Sequence, residues 1–339
     1  MIIEELDPAD AQEWDAFVAR SPGANCYHLH GWRAAGERGY GLRAPFLAAR
    51  ARPRGELLGV LPLFFIPGGY ATTGLFGAYG RVLAYDERIG SALVQEACAR
   101  AQRAGLASVR LKAVGEEPCA PGFRPFDRWV TASLPLAESP QAAWEGLRGK
   151  VRNCVRKAQR FGFEVRTGPD EVAGFYDVLA ENMHRKGSPI YGFDWMQSLV
   201  EALGAEVITL RLDGRTVSGA LTLTFNGVIT VPFASSRPST FHMNPNNLLY
   251  WEIISRACSA GLRTLDFGRS LRDSSPLAFK LGWGAEMTAQ PLLVRTLRGK
   301  PPSMDVESPL VRTLVAVWQR LPRGLADALG PSVCRRWLA

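Results

Sequence analysis

The chain has 339 residues, of which 47% are hydrophobic and 21% are charged. These values are typical of a globular protein and exclude a disordered one. No apolar run reaches the roughly 20 residues that a bilayer-spanning helix needs, and the first residues lack a secretory signal. We therefore expect a cytoplasmic protein, with the inner face of the membrane as the alternative location. The formal net charge of +8 favours anionic partners, without separating RNA, phospholipid headgroups, nucleotide-linked sugars and coenzyme A.

The cysteines and histidines do not indicate a metal site or a disulfide framework. The six cysteines include no Cys-x-x-Cys pair, which argues against a zinc ribbon and against a stapled secreted scaffold. Of the four histidines, His28 and His30 lie close together, and they offer two metal ligands at most. We favour a loop packed by Trp32 and predict no metal.

The first half of the chain alternates helix and strand patterns. Helices are predicted over 9–20, 31–38 and 87–104, and strands over 44–51, 57–65 and 107–112. Gly105 ends the third helix and a strand follows it. The same order of helix, glycine and strand recurs over 254–267, which suggests a fold duplicated in tandem and agrees with the two domains that the length favours.

A single amphipathic helix is predicted over 140–162, with apolar residues at helical spacing. Beside them, Arg148, Arg152, Arg156 and Arg160 recur at every fourth residue. Arginines at this spacing repel one another by about 0.2–0.5 kcal/mol per pair, so helix stability does not explain the pattern. An anion bound by these arginines would offset the repulsion. The alternative is that they form the solvated outer face of a connecting helix.

The second half begins with short elements and then turns to strands. A strand is predicted over 163–166, helices over 170–185 and 193–203, and a meander of strands over 207–212, 216–225 and 228–234. Asp213-Gly214 and Asn226-Gly227 match the two-residue turns of hairpins.

A further helix is predicted over 245–260. Asn244 is a favourable N-cap residue, Pro245 suits the first helical position, and Gly261 suits a left-handed stop. The first amides of this helix and its dipole would attract an anion such as a diphosphate or a developing oxyanion.

Chemistry-bearing residues follow this helix closely. Asp266 lies in a predicted strand over 262–267, on the face opposite Leu265 and Phe267, and Gly268 permits a sharp turn after the strand. A short helix restarts near residue 275 and leaves Lys280 free to reach a cleft. We therefore predict that Asp266, Arg269, Ser270 and Lys280 converge.

The end of the chain is an amphipathic, basic tail. A proline-rich stretch over 300–303 marks a linker, and apolar residues recur at helical spacing from residue 309 onward, with arginines on other faces. Such a segment suits peripheral contact of residues 308–338 with an anionic membrane. The alternative, which we favour because apolar stripes usually face a core, is that it packs onto the protein. The predicted domains are 1–138, 139–299 with the candidate site, and 300–339 with the linker and tail.

Several segments together carry a resemblance to a known family. They are Asn244-Pro245-Asn246-Asn247, Leu265-Asp266-Phe267-Gly268-Arg269-Ser270, Ala278-Phe279-Lys280, Trp283-Gly284, His28-Leu29-His30-Gly31-Trp32, Gly187-Ser188-Pro189-Ile190-Tyr191 and Trp318-Gln319-Arg320-Leu321-Pro322. The chain resembles the FemAB-like acyl- and aminoacyltransferases of the GNAT superfamily, particularly the subgroup that accompanies exosortase and PEP-CTERM exopolysaccharide systems. The resemblance implies an α/β (α+β) fold of two tandem GNAT-like domains, with mixed sheets flanked by helices and the C-terminal amphipathic helical tail.

The resemblance also implies roles for the late residues. Phe279-Lys280 matches the Phe-Lys pair of the family, so Lys280 is the predicted oxyanion stabiliser, and Asp266 is the candidate base or orienting group. A structural ion pair of Asp266 with Arg269 is the alternative. The predicted substrate contacts are Asn246, Asn247, Tyr250, Arg269, Ser270, Phe279, His184, Arg185 and Tyr191. For Asn246, Asn247 and Tyr250 a purely structural role is the alternative, which we favour. A basic helix at the position of Arg148 to Arg160 occurs in the family as well, which implies contacts with phosphate or tRNA.

The implied reaction moves an acyl or aminoacyl group to an amine of a cell-envelope or exopolysaccharide precursor. GNAT acetyltransferases commonly hold coenzyme A in a glycine-rich loop, and here that place holds Asn244-Pro245-Asn246-Asn247. The donor therefore stays open between acyl-CoA and aminoacyl-tRNA. The expected partners are an anionic donor or acceptor, such as acyl-CoA, tRNA or a nucleotide- or lipid-linked sugar, and not DNA. The alternatives are a non-catalytic, basic RNA-binding module and a membrane-peripheral partner of exopolysaccharide machinery.

Overall fold

The computed structural model of the chain describes residues 1–115, 121–301 and 308–336. These residues form a mixed α/β fold of three sheets flanked by helices. The predicted linker beyond residue 301, and Trp337 and Leu338 of the predicted membrane-contacting segment, lie outside the described residues.

The described helices follow the order of the predicted ones, except over 140–162, where two helices replace one. They are α1 (Ala11–Arg20), α2 (Gly31–Tyr40), α3 (Glu87–Arg103), α4 (Pro140–Gly146), α5 (Gly149–Gln159), α6 (Val172–Arg185), α7 (Phe193–Leu203), α8 (Pro245–Ser259), α9 (Ser275–Gly282), α10 (Pro309–Arg320) and α11 (Arg323–Cys334).

The described strands include several that the sequence did not predict. They are β1 (Ile2–Glu5), β2 (Leu47–Arg50), β3 (Leu57–Leu61), β4 (Phe64–Ile66), β5 (Tyr70–Thr72), β6 (Leu83–Ala84), β7 (Ser108–Lys112), β8 (Arg124–Phe126), β9 (Trp129–Pro135), β10 (Glu164–Thr167), β11 (Glu206–Leu212), β12 (Arg215–Phe225), β13 (Val228–Ser236), β14 (Thr264–Leu271), β15 (Glu286–Ala289) and β16 (Leu292–Thr296).

By its internal contacts the chain divides into two compact units. Unit 1 comprises Met1–Trp129, Ala289–Met304 and Arg335–Ala339, and unit 2 comprises Val130–Thr288 and Asp305–Cys334. Unit 1 holds a four-stranded sheet in the order β1-β2-β3-β6 and a five-stranded sheet in the order β4-β5-β7-β16-β8. Residues of α3 such as Leu93 and Ala97 are fully buried in its core.

The first histidine pair is part of the packing of unit 1. His28 is 2% exposed, and its Nε2 lies 2.9 Å from the carbonyl oxygen of Arg81. The indole of Trp32 donates to the carbonyl of Cys26 at 2.9 Å, in agreement with the packed loop that we favoured. Within the described ranges, no group of three or more histidine, cysteine, aspartate or glutamate residues is arranged to hold a metal ion.

Unit 2 is built on a seven-stranded sheet in the order β10-β11-β12-β13-β14-β9-β15. The predicted meander of β11, β12 and β13 is antiparallel, and β14 joins β13 in parallel after the crossover through α8. Helices α6 and α8 both contact β12 and β13. The apolar side of α8, including Leu249 and Ile253, is buried against this sheet and against Val155 of α5.

The single helix predicted over 140–162 was wrong, because the chain forms two helices there. Leu147 and Arg148 adopt extended conformations with ψ of 143° and 141°, which end α4 and precede α5. Leu147 is 7% exposed and belongs to the core of unit 2. At this break the Leu147 side chain points into the core, and Arg148 lies before α5 instead of within a continuous helix.

Two strands belong to a different unit from the one that the predicted domain boundaries would give them. All of β9 precedes residue 138, yet it lies in the seven-stranded sheet between β14 and β15, and all of it but Trp129 belongs to unit 2. Conversely, β16 lies before residue 299 and pairs with β7 and β8 in unit 1. The division by contacts therefore falls at other residues than the predicted boundaries of 1–138, 139–299 and 300–339.

Candidate active site

The candidate site of unit 2 begins where the parallel strands β13 and β14 stop pairing. Their paired register covers Val228 to Thr230 with Thr264 to Asp266. Just beyond it, Val231 and Pro232 of β13 lie opposite Thr222 alone, which is a β-bulge. A proline has no N–H to donate, so this segment cannot continue a regular ladder.

A cavity of about 410 Å³ lies beyond this point. Its described lining comes from α6, β13, α8, β14 and α9 and from the connection before α8. The lining residues are Asn182, Arg185, Lys186, Val231, Pro232, Ala234, Ser235, Ser236, Phe241, Asn246, Tyr250, Phe267, Arg269, Ser275, Pro276, Phe279 and Lys280.

Gly268 shapes the β14 side of the cavity. Its φ is +70°, and a Cβ added there would lie 2.6 Å from the carbonyl oxygen of Val231. Only glycine tolerates both conditions, because an L side chain strains at this φ and the backbone oxygen cannot move aside. The predicted sharp turn is instead a kink within a strand that continues to Leu271.

Lys280 is the buried cation of the cavity. Its side chain extends from α9, and the residue is 7% exposed. Its Nζ donates to the carbonyl oxygens of Gly268 at 2.7 Å and Arg269 at 3.2 Å. Burial lowers the pKa of Lys280 to about 8, while the negative charge of Asp266 acts in the opposite direction. An ammonium has three N–H donors. The described residues accept from two of them, so the third is available to a ligand.

The Asp266 carboxylate supports the kink. Its Oδ1 accepts from the Thr131 hydroxyl at 2.6 Å and from the Gly268 amide at 2.9 Å. Asp266 is 5% exposed and is absent from the described lining of the cavity. The geometry thus suits Asp266 to orienting the kink and to balancing the Lys280 charge electrostatically.

The first two turns of α8 contribute Asn246 and Tyr250 to the lining. The Asn246 side-chain oxygen accepts from the Ser236 hydroxyl at 2.6 Å. Tyr250 is 6% exposed and lies between the rings of Phe267 and Phe279, with centroids 5.1 and 5.4 Å away. Burial, followed by the charge of Asp266, raises the pKa of Tyr250, so its hydroxyl stays protonated as a potential donor.

The last turn of α6 supplies the second group of polar residues. Nε and one terminal nitrogen of Arg185 donate to the Asn182 side-chain oxygen at 3.2 and 2.9 Å. The Asn182 amide donates to the Ser235 hydroxyl at 3.1 Å, which fixes α6 to β13. Lys186 follows at the end of the helix, where burial and the neighbouring Arg185 lower its pKa.

Some predicted contacts lie elsewhere. His184 points to the tail, where its Nε2 lies 3.0 Å from the carbonyl oxygen of Leu321. The reason is that successive helical residues point about 100° apart, so His184 and Arg185 cannot share a direction. The Tyr191 ring packs at steep angles against the rings of Trp195 and Phe233, and burial raises the pKa of its hydroxyl.

Asn247 and Ser270 also lie outside the described lining. Ser270 is 5% exposed, and its hydroxyl has no hydrogen-bond partner within the described part of the chain. The structure therefore gathers Lys280, Arg269, Phe279, Tyr250, Asn246 and Arg185 of the predicted residues at one cavity.

Sequence reasoning missed several lining residues, notably Asn182, Lys186, Ser235 and Ser236. The two serines follow the predicted end of a strand at residue 234, and β13 in fact continues through them. The usable signal was topological, because the carboxyl ends of parallel neighbours such as β13 and β14 meet at one edge.

The arginines over 148–160 form an exposed surface on and beside α5. Arg148, Arg156 and Arg160 are exposed, and Arg152 is partly covered. Arg152 donates to the Glu145 carbonyl at 3.1 Å, and the Arg156 guanidinium lies 5.4 Å from the Trp144 ring centre. None of these arginines lines the cavity within the described residues.

The cavity has a strongly cationic lining. Arg185, Lys186, Arg269 and Lys280 contribute positive charge, and the described lining includes no carboxylate. Such a site favours an anionic ligand or a developing negative charge.

Comparisons with a protein-family model and with solved structures show which known fold this chain shares. Residues 146–280 match the family model described as an acetyltransferase (GNAT) domain. A crystal structure of FemX superposes with a TM-score of 0.67 at 16% identity, covering 94% of this chain and 100% of that one. The chain has a tandem GNAT fold.

Other solved structures agree on the fold. A tandem GNAT protein from the clavulanic acid biosynthesis pathway gives a TM-score of 0.59 at 13% identity, covering 88% of this chain and 99% of that one. The C-terminal domain of a putative lysylphosphatidylglycerol synthetase from Agrobacterium fabrum gives 0.58 at 15% identity, covering 85% and 92%. No curated protein sequence matches the chain.

The match to the GNAT family model coincides with the cavity. Every described lining residue, from Asn182 to Lys280, falls within residues 146–280. The model of the GNAT domain thus covers the part of unit 2 that holds the buried lysine. None of the helices that the structure describes is long and apolar enough to cross a bilayer.

Proposed function

We propose that this protein transfers an acyl or aminoacyl group to an amine at the cavity of unit 2. The observation that carries the proposal is the Lys280 ammonium, which two backbone carbonyls orient and which keeps one donor for the cavity. A fixed donor of this kind stabilises an oxyanion, and removing one such donor typically costs about 10²–10³ in rate.

The proposed reaction is nucleophilic attack on the carbonyl carbon of a thioester or ester. The amine nitrogen forms a bond to this carbon, and the carbonyl electron pair moves to oxygen, where the Lys280 N–H donates to it. Collapse of the tetrahedral intermediate breaks the bond to the thiolate or alkoxide leaving group. The amine loses a proton and the leaving group gains one. The Asp266 role as a base stays a prediction, since its bonds to Thr131 and Gly268 suit an orienting group better.

Tyr250 and Asn246 are the proposed substrate contacts on α8. The buried Tyr250 hydroxyl, whose pKa is raised, can donate a hydrogen bond to a substrate oxygen. The Asn246 amide nitrogen remains available for the same purpose when its oxygen accepts from Ser236. Phe279 and Phe267 would exclude water from the reacting carbonyl.

The cationic lining supports an anionic donor or acceptor. Acyl-CoA and aminoacyl-tRNA both carry phosphates that Arg185, Lys186 and Arg269 could bind. An amine of a cell-envelope or exopolysaccharide precursor, linked to a nucleotide or a lipid, is the proposed acceptor. The resemblance of the sequence motifs to the exosortase and PEP-CTERM subgroup supports this choice of acceptor. We propose the cytoplasm as the site of the reaction.

The test is formation of an amide product by the full-length protein. Panels of acyl-CoA species and charged tRNAs would be combined with amine-bearing nucleotide sugars, with products followed by mass spectrometry. Lys280→Ala should lower kcat/KM by about 10²–10³, while the exposed Lys300→Ala should not change it. If Lys280→Ala folds and retains full turnover, the proposed oxyanion role is wrong.

A non-catalytic RNA-binding function is the second candidate, favoured by the exposed Arg148, Arg156 and Arg160. It would give tRNA binding with a steep salt dependence that Lys280→Ala leaves unchanged. Turnover of any charged tRNA in the assay above would reject this candidate.

A further inference from the structure

In the part of the chain that the structure describes, the two C-terminal helices carry the exposed leucine and valine side chains. Within the described residues, the exposed leucines and valines are Leu314, Val317, Leu325 and Leu329, with exposures between 44% and 59%. All four lie on α10 or α11. Leucine, isoleucine and valine side chains in the rest of the described chain are at least partly covered, so this concentration needs an explanation.

The outward face of α11 lacks charge. Its exposed positions before residue 333 are Gly324, Leu325, Ala328, Leu329 and Ser332. A surface helix normally presents charged and polar side chains to water. A face composed of leucine, alanine, glycine and serine suits contact with an apolar phase.

The opposite faces of both helices pack against the rest of unit 2. A Cβ at Gly330 would meet Ile190 within 2.8 Å, and the Cys334 thiol lies 3.3 Å from the Pro189 carbonyl oxygen. On α10, the Gln319 amide donates to the Arg185 carbonyl at 2.9 Å. Arg323 donates to the Asp177 carbonyl at 3.1 Å. The tail therefore packs onto the protein as we favoured, and its exposed leucines belong to a second face.

The charges around this second face are almost all positive. Residues 308–336 contain five arginines and a single carboxylate, Asp327, which pairs with Arg323 at 3.3 Å. Arg312 and Arg320 are exposed on α10, and the exposed Arg335 and Arg336 directly follow α11. Apolar side chains flanked by arginines are the composition of segments that lie in the interface of an anionic bilayer.

We propose that α10 and α11 dock this protein on the surface of an anionic lipid bilayer. The leucines and Val317 enter the boundary between headgroups and acyl chains, and the arginines bind lipid phosphates. A second copy of the chain suits this face less well. A two-fold contact sets the same patch against itself, and it would bring the arginines of both copies together.

The test is sedimentation of the full-length protein with vesicles of phosphatidylcholine alone or with about 30% phosphatidylglycerol. The wild type should bind the anionic vesicles strongly and the neutral ones weakly. Leu325→Glu should lower the partition coefficient on anionic vesicles on the order of tenfold, because it removes an inserted side chain and adds a negative charge. Met287→Glu is the matched control, since Met287 is 49% exposed and Leu325 is 47% exposed. The control should change binding by about twofold at most.

A second variant separates the electrostatic part. Arg312→Gln with Arg320→Gln should weaken binding to anionic vesicles and leave binding to neutral ones unchanged, with an unaltered melting temperature. The proposal is overturned if the wild type does not sediment with anionic vesicles, or if Leu325→Glu and Met287→Glu weaken binding equally. It is also overturned if light scattering shows a wild-type dimer that Leu325→Glu dissociates, because the face would then serve a second copy.

Discussion

At the scale of single residues, Gly268 links the backbone to the candidate chemistry. Its amide donates a hydrogen bond to the Asp266 carboxylate, and its carbonyl oxygen accepts one from the Lys280 ammonium. Its positive φ and its distance from Val231 exclude a side chain for two separate reasons. Gly261 has the same φ of +70°, but no atom lies within 4 Å of a Cβ added there. A substitution at Gly261 therefore measures the strain of the positive φ without a backbone clash.

We expect Gly268→Ala to lower the free energy of unfolding by about 2–4 kcal/mol, from the strained φ and the backbone clash together. Gly261→Ala should cost about 1–2 kcal/mol, since it meets the φ penalty alone. Urea unfolding of both variants measures the difference. Equal costs would show that the chain relaxes around the added Cβ, and the role of Gly268 in shaping the site would then be refuted.

The Lys280 ammonium predicts opposite pH trends for activity and stability. If the charged form stabilises the oxyanion, the rate should fall as pH rises through about 8, the pKa of Lys280 in the folded protein. The unfolded chain keeps this lysine protonated up to its ordinary value of 10.5. Between these values the unfolded state binds more protons, so the contribution of Lys280 to stability rises with pH.

This pair of trends is measured by a pH–rate profile together with urea unfolding at each pH. Lys280→Met should flatten the part of the stability change between about pH 8 and 10.5 that this lysine causes. A rate that falls in parallel with unfolding would mean that the alkaline limb reports loss of structure. It would then not report loss of the ammonium.

At the scale of elements, local signals predicted most helices and the antiparallel meander. The residues that cap α8 and the two-residue turns on either side of β12 determine the local backbone without help from distant residues. The structure contains the predicted helix and the predicted turns. Asn244 takes the N-cap position with a left-handed φ of 58°, and its side chain makes no capping hydrogen bond to the first turn. By contrast, β9, β15 and β16 were not predicted. Their pairing partners lie far away in sequence, and short strands have a weak local pattern.

The candidate site was predictable only in part for the same reason. Phe279-Lys280 matches the Phe-Lys pair of the family that the sequence resembles, and Arg269 closely follows the strand predicted over 262–267, which holds Asp266. Ser235, Ser236 and Asn182 reach the cavity because β13 leaves β14 beyond Thr230, and no local pattern marks that divergence.

The arginines of α5 give a prediction at this scale. Replacing Arg148, Arg156 and Arg160 by glutamine should reduce the slope of log tRNA affinity against log salt by about two to three, because each arginine that neutralises a phosphate releases roughly one counterion. The free energy of unfolding should change by less than about 1 kcal/mol, because relief of the repulsion between like charges one turn apart offsets the lost contact of Arg156 with the Trp144 ring. A matched variant at the exposed Arg52, Arg88 and Arg298 of unit 1 should leave the slope unchanged. Equal slopes in all three proteins would assign these arginines to a solvated face.

At the scale of the whole molecule, each unit contains a strand from the far side of a predicted boundary. The predicted cut at residue 138 would separate β9 from β14, its neighbour in the seven-stranded sheet. Val130 and Ala132 of β9 are fully buried, and Thr131 donates to Asp266. Removal of β9 would therefore expose core residues and leave a buried carboxylate short of a donor.

Two fragments that differ only in this strand test the division. Residues 129–334 should unfold cooperatively in urea, because every strand next to β14 is retained. Residues 139–334 should lose at least about 3 kcal/mol of stability or fail to fold, since an exposed β14 edge adds to the loss of buried apolar area. Thr131→Val in the full chain isolates the lost donor and should cost about 1–3 kcal/mol. If the two fragments are equally stable, β9 is dispensable to unit 2 and the boundary predicted near residue 138 is the better division of the chain.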